Sequence, residues 1–124
     1  MCKVLIIDDE DAICQMLIYA LTRDGIDAEI ATDGCTGLDK FDRERFDAVI
    51  TDIRMPGIDG NGIARHIRSS AHPATPIIGI SGTSWLMEQH QFDAVFEKPF
   101  PLHQLVNAVR HLTRCALPAA AAQS

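Results

Sequence analysis

The sequence predicts an α/β fold: a doubly wound, five-stranded parallel sheet in the order 2-1-3-4-5, with helices on both faces. Three observations predict it. Short runs rich in Val and Ile recur at residues 4–7, 28–31, 48–51, 77–80 and 94–97. Stretches with apolar residues at helical spacing lie between them. The first run is continuously apolar and the second alternates with polar residues, which puts the first at the centre of the sheet and the second near an edge. Crossovers between parallel neighbours are right-handed.

The elements follow in order. Val4-Leu5-Ile6-Ile7 is the first strand and ends in Asp8-Asp9. Ile13, Met16, Leu17, Ala20 and Leu21 define one face of the first helix, which Gly25 closes. Ala28 to Ala31 form the second strand, and a helix from about Gly34 carries Leu38 and Phe41. Ala48-Val49-Ile50-Thr51 is the third strand and ends in Asp52. Ile63, Ala64 and Ile67 mark a helix entered from Asp59-Gly60. Ile77-Ile78-Gly79-Ile80 ends in Ser81, a short fourth helix is expected around residues 84–90, and Ala94-Val95-Phe96-Glu97 ends in Lys98-Pro99. Leu102, Leu105, Val106, Val109 and Leu112 make the last helix, with Pro101 in its first turn. One domain is expected over residues 1–117, followed by a disordered Ala-rich tail over 118–124.

Composition narrows the function. The chain has 124 residues, 47% hydrophobic and 23% charged, enough for one domain with its own core. No apolar run reaches the ~20 residues of a membrane span, and the N-terminal run is too short for a signal peptide. A net charge of −6 without a basic stripe disfavours nucleic acid, since binding would add like charge to phosphates. No membrane and no nucleic-acid partner are therefore expected. Cys2, Cys14, Cys35 and Cys115 form no C-x-x-C pair, so zinc is not expected and reduced thiols of a cytoplasmic protein are. The histidines show no ligand spacing and read as surface residues.

The polar residues of interest fall at strand ends: Asp8 and Asp9, Asp52, Ser81 and Lys98. All carboxyl ends of a parallel sheet lie on one edge, and ligands bind where the winding reverses between strands 1 and 3. Three carboxylates, a hydroxyl and an ammonium therefore converge. Close carboxylates repel, and a hard divalent cation such as Mg²⁺ relieves the repulsion. Lys98 suits a phosphate oxygen and Ser81 can donate to another. Together they form an electrostatic clamp for a phosphoryl group, with Asp52 as its nucleophile. Each residue also has a plain reading. Asp8 to Asp11 could be a solvated acidic turn capping the helix, Asp52 a strand-end cap, Lys98 a surface lysine and Ser81-Gly82 a tight strand exit.

Asp8-Asp9, the run Asp52-Ile53-Arg54-Met55-Pro56-Gly57-Ile58-Asp59-Gly60, Ser81-Gly82 and Lys98-Pro99-Phe100 occur in order, each at a strand end. In these the chain resembles the receiver domain of bacterial two-component response regulators over residues 3 to 114. The resemblance implies a phosphorelay switch in the cytoplasm. It implies phosphotransfer from a sensor histidine kinase or histidine phosphotransfer protein to Asp52. It also implies Mg²⁺ held by Asp9, Asp52, the backbone carbonyl of Arg54 and, through water, Asp8, with Ser81 and Lys98 on the phosphoryl oxygens. Lys98-Pro99 is commonly a cis peptide in the family. Such a domain is no enzyme beyond its own aspartyl phosphorylation and dephosphorylation. With no effector region expected after residue 114, output would pass to a downstream protein effector.

Two departures stand out. Val95 occupies the position where the family has a switching aromatic, and the stretch from Ser81 to Lys98 is short, with Gln91-Phe92-Asp93 before strand 5. Trp85 is a partly buried anchor or a substitute for that aromatic. Arg54 and Thr83 flank the site, either tuning loss of the phosphoryl group or standing by. Ile13, Cys14, Met16 and Leu17 are mostly core, and one or two of them, with Pro99 and Phe100, could dock a helical partner. A phosphate-independent interaction module is the alternative function. An aspartyl-intermediate phosphatase is disfavoured because Arg54 stands where a second Asp is needed, and a nucleotide binder because no glycine-rich loop follows strand 1.

Overall fold

The computed structural model describes residues 2–82 and 91–113. The expected short helix around 84–90, Thr83, Trp85, Cys115 and the Ala-rich tail lie outside the described residues. The elements are β1 (Lys3–Ile7), α1 (Asp11–Arg23), β2 (Asp27–Ala31), α2 (Gly34–Arg43), β3 (Ala48–Asp52), α3 (Gly60–Arg68), β4 (Ile77–Ser81), β5 (Ala94–Glu97) and α4 (Leu102–Thr113). The strands form one sheet in the order β2-β1-β3-β4-β5, every pair parallel.

The sheet divides the apolar residues between two cores. Val4 and Ile6 of β1 join Ile50, Ile78 and Ile80, beneath Cys14, Leu17 and Leu21 of α1 and Leu105, Val106 and Val109 of α4. Leu5 and Ile7 point the other way, with Val49 and Ile77, onto Leu38 and Phe41 of α2 and Ile63, Ala64 and Ile67 of α3. Successive strand residues face opposite sides, so a run apolar at every position must be covered on both.

One helix face differs from its expected position. Met16 and Tyr19 are exposed, at 46% and 64%, and Cys14 is buried with Leu17 and Leu21. The buried stripe of α1 runs 14-17-21, rotated from the apolar set that included Met16. Sequence spacing identifies an apolar sector, and packing against α4 selects the part of it that is covered. At the cysteines, Cys14 and Cys35 are free but Cys2 is disulfide-bonded, which corrects the expectation of reduced thiols there. The fold brings Cys2 to the same apolar cluster as Leu112 near the end of α4.

Caps fix the helix starts. The Asp33 carboxylate accepts the Thr36 N–H at 2.7 Å, and that of Asp59 accepts the Gly62 N–H at 2.9 Å. Gly25, at φ 76°, closes α1 as predicted, its N–H donating to the Thr22 carbonyl at 3.0 Å. At the amino end of the strands Arg68 acts as a clamp. Its guanidinium donates to the carbonyls of Pro73, Thr75 and Gln91 at 2.7, 2.8 and 2.8 Å, and to Asp93 Oδ2 at 2.9 Å. Asp93 Oδ2 also accepts the Ile77 N–H at 2.8 Å, tying the start of β4 to the approach to β5.

At the carboxyl end, ladder bonds continue past the strands. Asp8 N–H reaches Ala31 O at 3.1 Å, Ile53 N–H reaches Ile80 O at 3.0 Å and Lys98 N–H reaches Ser81 O at 3.0 Å. The backbones of three predicted site residues are thereby registered to the sheet. Gly60 matters to the same edge. A Cβ there would lie 2.6 Å from the Asp52 carbonyl oxygen and 2.8 Å from Ile53 Cα. Gly60→Ala is expected to lower stability by about 1–3 kcal/mol, seen as a lower urea midpoint with unchanged slope.

Candidate functional site

Asp52 is the last residue of β3 and is 5% exposed. Its Oδ1 accepts the Ile53 N–H at 2.9 Å, and its Oδ2 lies 3.4 Å from Lys98 Nζ. Lys98 follows directly on the end of β5, and the Lys98-Pro99 peptide after it is cis. Ser81, the last residue of β4, is fully buried. Asp8 follows β1 at 1% exposure. Its Oδ1 accepts the Glu10 N–H at 2.9 Å, whereas its buried Oδ2 has no hydrogen-bond partner among the described residues.

Asp8, Glu10 and Asp52 each bring one carboxylate oxygen within 4.8 Å of the others. The expected trio was Asp8, Asp9 and Asp52. Asp9 is exposed and acts on Asp52 through its charge. Glu10, read from sequence as part of an acidic turn, stands in the cluster, and its Oε1 accepts from Lys98 Nζ at 2.7 Å. No local signal marks it: three aspartates adjoin it in the same acidic stretch, and the contact spans 88 positions. Arg54 is exposed and lines a cleft of about 660 Å³ with Ile53, Met55, Pro56, Asp59 and Asn61. Val95 is half-buried on β5. Phe96, one residue on, packs its ring against that of Phe100, with centroids 6.3 Å apart.

The electrostatics follow from burial. Desolvation raises the Asp8 carboxyl to about 6, helped by the Asp52 charge and opposed by the Glu10 N–H and Lys98. Burial also raises Asp52, against the pull of Lys98. Burial would lower Lys98, but Glu10, Asp52 and Asp8 outweigh it and hold the ammonium above its usual value. The Cys14 thiol is raised to about 11, by burial and then by the charges of Asp8, Asp11 and Asp9. It donates to the Asp8 carbonyl at 3.3 Å and takes no part in the cluster as a thiolate.

A family model of the response regulator receiver domain matches residues 4–110. The chain belongs to this family. Such a receiver domain is the phosphorelay switch of a two-component system. The transcriptional regulatory protein TrcR of Mycobacterium tuberculosis is 34% identical over 117 residues, which cover 90% of this chain and 45% of TrcR. The response regulator MprA of Mycobacterium leprae is 32% identical over 127 residues, covering 98% of this chain and 55% of MprA. The chain spans about half the length of the curated relatives it matches. Among solved structures, the chemotaxis protein CheY4 of Vibrio cholerae superposes with a TM-score of 0.82 at 28% identity, covering 90% of this chain and 98% of its own. The response regulator TrrA of Thermotoga maritima, solved with Mg²⁺ and beryllofluoride, superposes with a TM-score of 0.83 at 30% identity, covering 90% and 99%. Among the described residues of this receiver domain no helix is long and apolar enough to cross a membrane.

The raised Asp8 carboxyl has a measurable consequence. An Asp whose folded pKa exceeds its unfolded value favours folding fully below pH 3.8 and loses that contribution as pH rises through about 6. At pH 7.5 without divalent cation, Asp8→Asn is expected to gain on the order of 1–3 kcal/mol over wild type. The gain should shrink as pH falls towards 5, read from urea midpoints at the two pH values.

Proposed function

We propose that this receiver domain takes a phosphoryl group onto Asp52 from the phosphohistidine of a sensor histidine kinase or histidine phosphotransfer protein. The observation that carries this is the Asp52 carboxylate at the sheet edge with Lys98 Nζ 3.4 Å away, beside a buried Asp8 oxygen with no hydrogen-bond partner among the described residues. An Asp52 carboxylate oxygen attacks the phosphorus. The P–N bond breaks, and the imidazole nitrogen leaves with the electron pair. Lys98 balances the charge gathered on the phosphoryl oxygens, and the Ser81 hydroxyl, fully buried at the end of the neighbouring strand, donates to one of them. Water later attacks the same phosphorus, releasing inorganic phosphate and restoring the carboxylate.

The donor set fits Mg²⁺. Asp8 supplies a buried oxygen with no hydrogen-bond partner among the described residues, Asp52 brings a second carboxylate to the same cluster, and the third, Glu10, is taken up by Lys98. Asp8, Asp9 and Asp52 would hold it with the Arg54 carbonyl, as the family pattern implies. When bound it supplies positive charge against the carboxylates and the phosphoryl oxygens. The presence of Mg²⁺ and beryllofluoride in TrrA supports this choice of ion.

Output passes to a downstream protein effector in this reading, and the domain works in the cytoplasm. The acidic balance argues against contacts between this domain and a phosphate backbone. TrcR bears a transcriptional name and is matched over 45% of its length, and the acidic balance here is that of these 124 residues alone.

Intact-protein mass after incubation with Mg²⁺ and acetyl phosphate is expected to rise by one phosphoryl group. Asp52→Ala and a chelator control should show no gain, and Lys98→Ala should slow uptake about 10²- to 10³-fold. If neither acetyl phosphate nor a phosphorylated histidine kinase domain labels the wild-type protein, the phosphate-independent interaction module becomes the better reading.

A further inference from the structure

Lys98 is shared unequally between two carboxylates. Its Nζ is 2.7 Å from Glu10 Oε1 and 3.4 Å from Asp52 Oδ2. The nearer partner is the more solvated one, with a side chain 55% exposed against 7% for Asp52. Glu10 occupies the N-cap position of α1, where a side chain ordinarily bonds a helix amide, and it makes no such bond. Its backbone is fixed regardless: the N–H donates to Asp8 Oδ1 at 2.9 Å, and the carbonyl accepts the Cys14 N–H at 3.2 Å. Only the carboxylate is at liberty, and it crosses 88 positions of sequence to reach Lys98 instead of capping its own helix. Lys98 is likewise anchored through its N–H to the Ser81 carbonyl, so its ammonium swings from a fixed point.

We infer that Glu10 is a positioning residue for Lys98: its carboxylate draws the ammonium off Asp52, and a phosphoryl group on Asp52 must take Lys98 away from Glu10. This rests on the phosphoacceptor role of Asp52. Glu10 thereby sets how readily the cleft accepts and keeps a phosphoryl group. The pair is partly exposed, so its influence is modest, on the order of two- to fivefold in an equilibrium.

The test uses the whole chain and beryllofluoride with saturating Mg²⁺ as an acyl-phosphate mimic, reading the concentration that gives half the maximal thermal shift. Glu10→Gln keeps the size and removes the charge. Glu10→Asp keeps the charge but is one methylene short of Lys98, and Asp is a good N-cap, so its carboxylate falls back on the helix amides. No capping bond is lost in either variant, and urea midpoints check that both remain folded. Both should bind beryllofluoride about two- to fivefold more tightly than wild type, and affinity for Mg²⁺ alone should move by less than that factor. Should Glu10→Asp match wild type while Glu10→Gln differs, bulk charge rather than the Lys98 contact is responsible and the inference fails. It fails equally if neither variant changes, or if Mg²⁺ affinity moves by the same factor as beryllofluoride affinity. A wild-type chain indifferent to beryllofluoride would instead bring down the phosphoacceptor reading, and the role of Glu10 with it.

Discussion

Two carboxylates, Asp8 and Asp52, are held almost out of water at the carboxyl edge of the sheet, faced by the single ammonium of Lys98. Left to itself this arrangement opposes folding: each buried charge forfeits hydration, and the two repel. It persists because the backbones that carry the charges are committed elsewhere. Asp52 is a sheet residue in register with Ile80, and Asp8 is bonded through its N–H to Ala31. The cleft is thus assembled against its own electrostatics by two apolar cores, and it favours a cation that relieves the repulsion.

Those cores explain why so much of the fold was legible. A strand covered on both sides must be apolar at every position, so Val4 to Ile7 and Ile77 to Ile80 announce themselves, and the polar residue that ends each run marks the sheet edge. Asp52, Ser81 and Lys98 could be placed by that reasoning because their positions follow from the backbone ladder alone. The cap at Asp59 was equally local, set by the residue before Gly60.

Contacts made by side chains across long separations were not legible in the same way. Glu10 belongs to an acidic stretch with three neighbouring aspartates, and nothing local distinguishes the one that reaches Lys98. Met16 carries the hydrophobicity of a core residue and is exposed, because α4 covers the sector of α1 around Cys14 and Leu17 instead. Arg68 and Asp93 are 25 positions apart, and nothing in the sequence pairs them. Their partners are mostly carbonyl and amide groups of loops, which leave no trace in side-chain pattern.

That guanidinium gives the sheet a mechanical asymmetry. Arg68 and Asp93 fasten β4 and the approach to β5 at the amino end, while the carboxyl ends of both strands carry Ser81 and Lys98. Two parallel strands pinned at one end and loaded at the other behave as a cantilever. At roughly 3.3 Å per residue, the loaded tips stand some 13 Å from the fulcrum. Lengthwise sliding of the pair would break the Arg68 bonds at one end and the β3–β4 and β4–β5 ladders along its length, so twist or tilt at the free ends is the softer response to a pull on Ser81 or Lys98.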